Sequence, residues 1–364
     1  MDKPDMDTGR AHNRIAQLAV LVVLTLLLAV LDLASGSVRI PFGEVVRALL
    51  GTASQQEWGV IIGIFRLPKL VTAMLAGAGL AAAGLMLQSL FRNPLAGPDS
   101  LGIGAGASIG VALLMFAGNI LGLQKAAGTA GSALLGGLQP LGYVALVLAA
   151  SLGSFAVLLM ILLLARKFEQ VVTVLIMGLL VGYLASSVVS LLIYFGSPQK
   201  AQVYLAWTYG SFGGVRAGEL PFLSGAVLLG CALAAFDRKA LNAFLLGERF
   251  AATIGIRVRS SRTRLLIAAA LLAGSVTAFC GPIAFLGIAA PQAARRLARS
   301  SEHGVLLPVS MLLGMIFALS ADILSSLPGK GAVLPVNPLL ALIGSPVILS
   351  MFLRGAREDF EGGV

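Results

Sequence analysis

What most constrains this chain is a succession of apolar runs too long for the helices of a water-soluble core. Ile15 to Leu33 comes first, with Asp32 as its sole charge. Leu141 to Ala165, Val171 to Phe195 and Leu306 to Leu324 repeat the pattern. A helix needs about 20 mostly apolar residues to cross the hydrocarbon of a bilayer. Soluble domains carry about a quarter charged residues, whereas this chain carries 12%, beside 58% hydrophobic ones. Its 364 residues leave room for roughly ten spans joined by short loops. The expected fold class is all-α and polytopic, a single membrane domain over 1–364.

Residues 1–14 form a polar tail with Lys3, Arg10 and Arg14. A secretory signal is the rival reading of Ile15 to Leu33. The run exceeds the usual signal core of roughly 7–15 residues, and more spans follow it. Ser35 to Arg66 reads as an external amphipathic segment with a short surface helix. Arg66-Leu67-Pro68-Lys69 opens the second span, with Pro68 in the first helical turn, where its missing N–H is no loss. The third span holds Gly102, Gly106 and Gly110, and Leu141 to Ala165 and Val171 to Phe195 are the fourth and fifth. Pro221 to Phe236 is the sixth. Leu265 to Cys280 and Ile283 to Ala294, on either side of the helix-breaking Gly281-Pro282, are the seventh and eighth. Leu306 to Leu324 and Asn337 to Leu353 complete ten.

Several local features fit this plan. Ala73, Gly77 and Ala81 recur every four residues, as do Gly102, Gly106 and Gly110, a spacing that lets helices approach closely in a bilayer. Gly118 to Pro140 reads as a glycine-rich external loop. Tyr204, Trp207 and Tyr209 belong at a membrane–water interface. Phe91 to Pro98 reads as a rigid reversal between two spans.

The net charge of +10 is explained by topology and requires no nucleic acid, because cytoplasmic loops collect Lys and Arg. With both termini inside, 18 of the 26 basic residues fall on the cytoplasmic side and 8 outside. No carboxylate falls at mid-span. Asp32 and Asp322 come nearest, each by the external end of its helix. Ion-coupled carriers keep ionisable groups near the midplane, so a secondary transporter is the weaker reading. No GxxxxGK[ST] stretch occurs, which excludes a P-loop of the chain's own. No nucleophile elbow or acidic-pair motif supports a membrane enzyme. Cys231 and Cys280 lie in apolar runs, and His12 and His303 lie outside them, so no metal centre is expected.

Asp237 to Arg264 stands apart, with nine charges in twenty-eight positions. It reads as two short helices broken at Gly247, lying at a membrane surface as either a topological staple or a docking surface. Gly247 permits a tight reversal that a side chain would resist. Glu248 then stands at the positive end of the second helix.

Three stretches together resemble the permeases of iron–siderophore, haem and cobalamin ABC importers, the ten-span type II family. The first is Arg66-Leu67-Pro68-Lys69 leading to Leu87-Gln88-Ser89-Leu90-Phe91-Arg92-Asn93-Pro94-Leu95-Ala96. The second is Leu246-Gly247-Glu248 with Ile254-Gly255-Ile256. The third runs from Gly281-Pro282-Ile283-Ala284-Phe285-Leu286-Gly287 through Ala290-Pro291 to Arg295-Arg296-Leu297, followed by Leu306-Leu307-Pro308 and Ala321-Asp322.

The resemblance implies an inverted repeat of helices two to five and seven to ten, in a bacterial cytoplasmic membrane. It implies coupling helices within 237–264, with Leu246, Gly247, Glu248, Ala251, Ile254, Gly255 and Ile256 set in a cleft of an ATPase. Arg66 and Lys69, with Lys330, would receive an extracytoplasmic substrate-binding protein. Asn93, Leu95, Val171 and Val172 would close the pore toward the cytoplasm. The implied partners are two ATPase subunits, which bind ATP and Mg, and a second permease, identical or similar. The chain itself would hold no cofactor and do no catalysis. The implied cargo is a ferric-siderophore-type chelate, with haem or cobalamin as the alternative. Three departures from the family pattern stand out. Where a third external basic residue sometimes follows the Ala-Asp pair, Ser325 and Ser326 stand here, with Lys330 as the substitute. Gln292 replaces its usual histidine, a version shared with some siderophore permeases, and Asn337 replaces a glycine.

Overall fold

In the computed structural model, residues 5–36, 38, 40–117, 140–167, 171–327 and 333–361 are described. Lys330 and nearly all of the Gly118 to Pro140 loop lie outside the described residues. Every one of the ten expected spans is a helix. Helix α1 (Asp5–Ala34) takes in part of the polar tail and the first run. A short amphipathic helix, α2 (Phe42–Leu49), follows. Glu44 opens it, accepting from the backbone N–H of Ser54 at 3.1 Å and from Arg47 at 2.8 Å. These bonds, Ser54's first, hold the Glu44 carboxyl below its ordinary range.

The second span begins ten residues earlier than the sequence implies. Helix α3 runs from Gln56 to Phe91 and contains a π-helical stretch, Ile61–Arg66. There the N–H of Leu67 reaches back to the carbonyl of Ile62. A wide turn of this kind redirects the backbone pairing just before Pro68, which has no N–H to give. Pro68 thus lies inside a continuous helical path and starts nothing.

The remaining helices are α4 (Ile103–Ala117), α5 (Pro140–Lys167), α6 (Val171–Tyr194), α7 (Pro198–Thr208) and α8 (Leu220–Phe236). Then come α9 (Arg238–Leu246), α10 (Glu248–Thr253), α11 (Val258–Cys280), α12 (Leu286–Ala298), α13 (His303–Ser326) and α14 (Val336–Glu361). Among the described residues, six helices are long and apolar enough to cross a membrane, or seven if the pair α8–α9, bent by 56°, counts as one span. Of the other expected spans, α12 has only 13 residues. At about 1.5 Å per residue that is roughly 20 Å, short of a full crossing. Helix α4 has 15.

The packing carries the repeat. Exchange α3 with α11, α4 with α12, α5 with α13 and α6 with α14, and the pairs of touching helices map onto each other. Thus α3 packs on α13 as α11 packs on α5, and α4 on α5 as α12 on α13. Likewise α4 packs on α6 as α12 on α14, and α3 on α12 as α11 on α4. The small residues make these contacts: a Cβ on Gly77 would lie 2.3 Å from the carbonyl oxygen of Gly314, and one on Gly84 would lie 1.6 Å from that of Gly287. Without hydrophobic drive between helices in lipid, such backbone proximity is a main source of attraction.

The interfacial placement expected of the aromatic cluster fails for two of its three rings. Tyr204 and Trp207 are buried, their ring centres 6.0 Å apart and tilted, with Tyr204 likewise tilted against Phe116 at 6.1 Å. Only Tyr209 of that group is exposed. Helix α7 is too short to stand as a span, and packs its rings on α4 instead.

Candidate functional site

Two features at one end of the bundle, and one at the other, carry the polar chemistry. The first is the knuckle α9–α10. Gly247 adopts φ +109° and ψ 156° between the two helices, a conformation that a side chain rarely tolerates. Gly255 repeats the device at φ +84°, where the N–H of Ile256 closes on the carbonyl of Ala251 at 3.0 Å. Ala251, Leu241 and Phe244 are buried; α9 packs on α3 and α13, and α10 on α11. Its outer surface is apolar: Leu246, Phe250 and Ile254, four residues apart, are 66%, 44% and 55% exposed.

Ion pairs fix the knuckle's shape. Glu248 pairs with Arg262. Arg264 grips Asp237 with two N–H groups at 2.8 and 2.6 Å and lies over the ring of Phe236 at 5.7 Å. Bidentate guanidinium–carboxylate pairs combine strength with fixed geometry. Arg238, Lys239, Arg249, Arg257 and Arg259 stay exposed around this frame.

The second feature is the reversal after α3. Arg92 takes a left-handed conformation (φ 49°), and the Oδ1 of Asn93 accepts the N–H of Leu95 at 2.9 Å. Leu95 is left 44% exposed. The reversal ends in a 3₁₀ turn, Pro98–Leu101, which packs on α6. Val171 and Val172 are the first two residues of that helix. Gln292, the departure from the family pattern, has a clear task here. It is buried and donates to Pro94 O at 2.7 Å and to Gln88 Oε1 at 3.2 Å, holding the reversal against α12.

Asn337 is also explained. Its Oδ1 accepts the N–H of Ala284 at 3.0 Å, in the stretch where the chain breaks between α11 and α12. Gly281 turns at φ +79°, and a Cβ there would lie 2.4 Å from the carbonyl of Trp207. The break before α12 and the turn before α4 stand at corresponding places in the two halves. In repeat transporters, short or interrupted segments at such paired positions point to the substrate path.

At the opposite end, Arg66 is buried and donates to the carbonyl of Leu33 at 2.6 Å and to that of Val38. Lys69 pairs with Asp322 at 2.9 Å, and Asp32 is buried near the same end of the bundle. Both cations expected to meet a soluble partner therefore point into their own protein. Asp32 and Asp322 do stand near helix ends, as expected.

Sequence reasoning missed Phe250, Ser89, Asn242 and His303. His303, placed outside the apolar runs by its neighbours, is fully buried as the first residue of α13. The available signal was the polar pair Gln88-Ser89 at the end of an otherwise apolar helix.

Residues 23–354 match the model of the FecCD transport family. The hemin transport system permease of Yersinia pestis is 30% identical over 357 residues, covering 97% of this chain and 99% of that one. A vitamin B12 import system permease of Klebsiella pneumoniae is 31% identical over 345 residues, covering 95% of each. A solved structure, described as an inward-facing conformation of a metal-chelate type ABC transporter, matches with a TM-score of 0.76 at 26% identity. It covers 93% of this chain and 98% of that chain.

Proposed function

Since the chain belongs to the FecCD transport family, we propose that it is the permease subunit of an ATP-driven importer of ferric-siderophore-type chelates. The observation that carries this reading is the knuckle, a rigid frame presenting Leu246, Phe250 and Ile254 outward. Exposed apolar groups on a salt-bridged frame suit insertion into a cleft of a partner. The partner proposed is an ATPase subunit, one for each of two permease copies, with ATP and Mg bound there and none in this chain.

In this assignment the knuckle and the Asn93–Leu95 reversal face the cytoplasm, together with both termini. Lys69 and Asp322 lie at the outer side, where a substrate-binding protein docks. Asn93 and Leu95 with Val171 and Val172 form the inner gate. Gln292 in place of histidine favours a siderophore. Relatives named for hemin and vitamin B12 favour the alternative cargo classes, haem and cobalamin.

The test is reconstitution of the chain with its ATPase in liposomes. A radiolabelled ferric hydroxamate should accumulate only with ATP supplied on the ATPase side. Gly247→Trp should preserve membrane insertion yet uncouple hydrolysis from uptake. Uptake driven by an ion gradient in the absence of the ATPase would sink the reading. Normal transport by Gly247→Trp would reduce the knuckle to a staple.

A further inference from the structure

A line of polar side chains, buried except for the half-buried Asn242, joins the knuckle to the Asn93 reversal through a largely apolar core. It starts on α9 at Asn242. The backbone N–H of His303 reaches Asn242 Oδ1 at 2.8 Å, and His303 Nδ1 lies 2.6 Å from the same atom. A backbone N–H can only donate, so the atom facing it is the carboxamide oxygen. Nδ1 must then carry a hydrogen as well. On the far side of the ring, Nε2 lies 2.6 Å from Ser89 Oγ on α3. The residue before Ser89 continues the line. Gln88 donates to the carbonyl of Ile288 at 3.3 Å, and its Oε1 accepts from Gln292, which holds Pro94 O. Four helices and the reversal are thus joined by two sets of contacts, linked between Ser89 and Gln88 by the backbone of α3.

His303 and Ser89 are wholly buried, and Gln88 and Gln292 nearly so. Stranding one such group without its partner costs more than the bond itself contributes. The line therefore resists being stretched and favours movement of its members together. Packed interiors shift between discrete arrangements and do not deform continuously.

We propose that this line is the linkage by which displacement of the knuckle moves the Asn93–Pro98 reversal, with His303 as its positioning residue. The inference rests on the ATP-driven reading above. Contiguity alone does not establish coupling, so the experiment measures coupling. The reporter is Leu95→Cys, in a chain whose two native thiols, Cys231 and Cys280, are replaced by alanine. The permease–ATPase complex is reconstituted, and the rate of alkylation at position 95 by N-ethylmaleimide is compared with and without ATP and vanadate.

In the otherwise unchanged reporter chain, nucleotide should alter that rate on the order of tenfold. Asn242→Leu and His303→Leu should each remove most of this response, with ATPase rate and co-purification retained. Combining them should cost no more than either alone, the sign of a shared path. Asn242→Asp keeps the acceptor oxygen and should keep the response, which loss of packing alone does not explain. Ser89→Ala removes only a hydroxyl from within a helix and guards against folding failure. Should Ser89→Ala and Asn242→Leu complexes respond as fully as the reporter chain, the linkage is refuted while the transport reading stands. If the reporter chain itself does not respond to nucleotide, the ATP-driven reading fails and takes the linkage with it.

Discussion

Lys69 decides between two accounts of the outer face. In one it is a free cation awaiting a soluble partner. In the other it is half of an internal ion pair whose loss destabilises the fold. The perturbation is Lys69→Met, which keeps most of the aliphatic stem and removes the charge. At 2.9 Å from Asp322, two unit charges attract by about 6 kcal/mol at an effective dielectric of about 20. Desolvation cancels part of that. The ammonium side chain is 28% exposed and the carboxylate only 1%, so the damage is asymmetric. Without Lys69 the buried carboxylate is left beside Asp32, and uncompensated charges of this kind cost about 3–5 kcal/mol. Asp322→Asn instead leaves an ammonium that can turn to water, and should cost less. The double variant Lys69→Met/Asp322→Asn should regain most of the loss. Thermal unfolding of the detergent-purified protein, followed by fluorescence-detected gel filtration, reads all three. Lys69→Met should melt several degrees low and the double variant close to the parent. Should Lys69→Met melt with the parent while losing affinity for the binding protein, the ion-pair account is wrong and the docking account returns.

Three further outcomes are expected. Asn337→Gly should strand the N–H of Ala284 at a cost of about 1–3 kcal/mol, read as a lowered melting temperature; an unchanged value would remove Asn337 from the architecture of the break. Gly84→Leu should abolish recovery of folded permease, since its Cβ alone meets a backbone oxygen at 1.6 Å, and normal yield by gel filtration would contradict the α3–α12 crossing. In intact cells, a cysteine at Gln55 should react with impermeant thiol reagents and one at Ser260 should not; labelling at 260 from outside would invert the assigned orientation.

The membrane class was legible because long apolar runs dominate the local pattern, and Asp237 to Arg264 was legible because charge there is dense and flanked by such runs. Helix ends were harder. Pro68 resembles a helix start because sequence records the missing N–H but not the π turn at Ile61–Arg66 that accommodates it. Tyr204 and Trp207 were misassigned because aromatic rings suit both an interface and a core. Only tertiary packing chooses between them. Arg66 and Lys69 read as exposed because their partners lie far off in the chain: the carbonyl of Leu33 for one and Asp322 for the other. Gln292 and Asn337 looked like unexplained departures for the same reason, since each satisfies a backbone group on another element.

The vertical placement of these polar groups says more than their identities. On α3, Lys69 and Ser89 are twenty residues apart, roughly 30 Å at about 1.5 Å per residue, the thickness of a bilayer's hydrocarbon. On α13, the distance from His303 to Asp322 is nearly the same, nineteen residues. Each helix therefore carries one polar anchor at each boundary, and the anchors meet across the helix pair: Lys69 with Asp322, and Ser89 with His303. Between them the contact is made by glycine and alanine, with Gly77 against Gly314. A register slip of one turn, about 5.4 Å, would break both anchors at once and drive Cβ atoms into the glycine crossing. The α3–α13 pair is thus locked against slip within itself, so that a displacement at the knuckle reaches the reversal through it as through one rigid body. Crosslinking position 77 to 314 should then leave ATP-driven uptake intact. Loss of uptake from this crosslink would place the moving joint inside the pair and refute the rigid-unit argument.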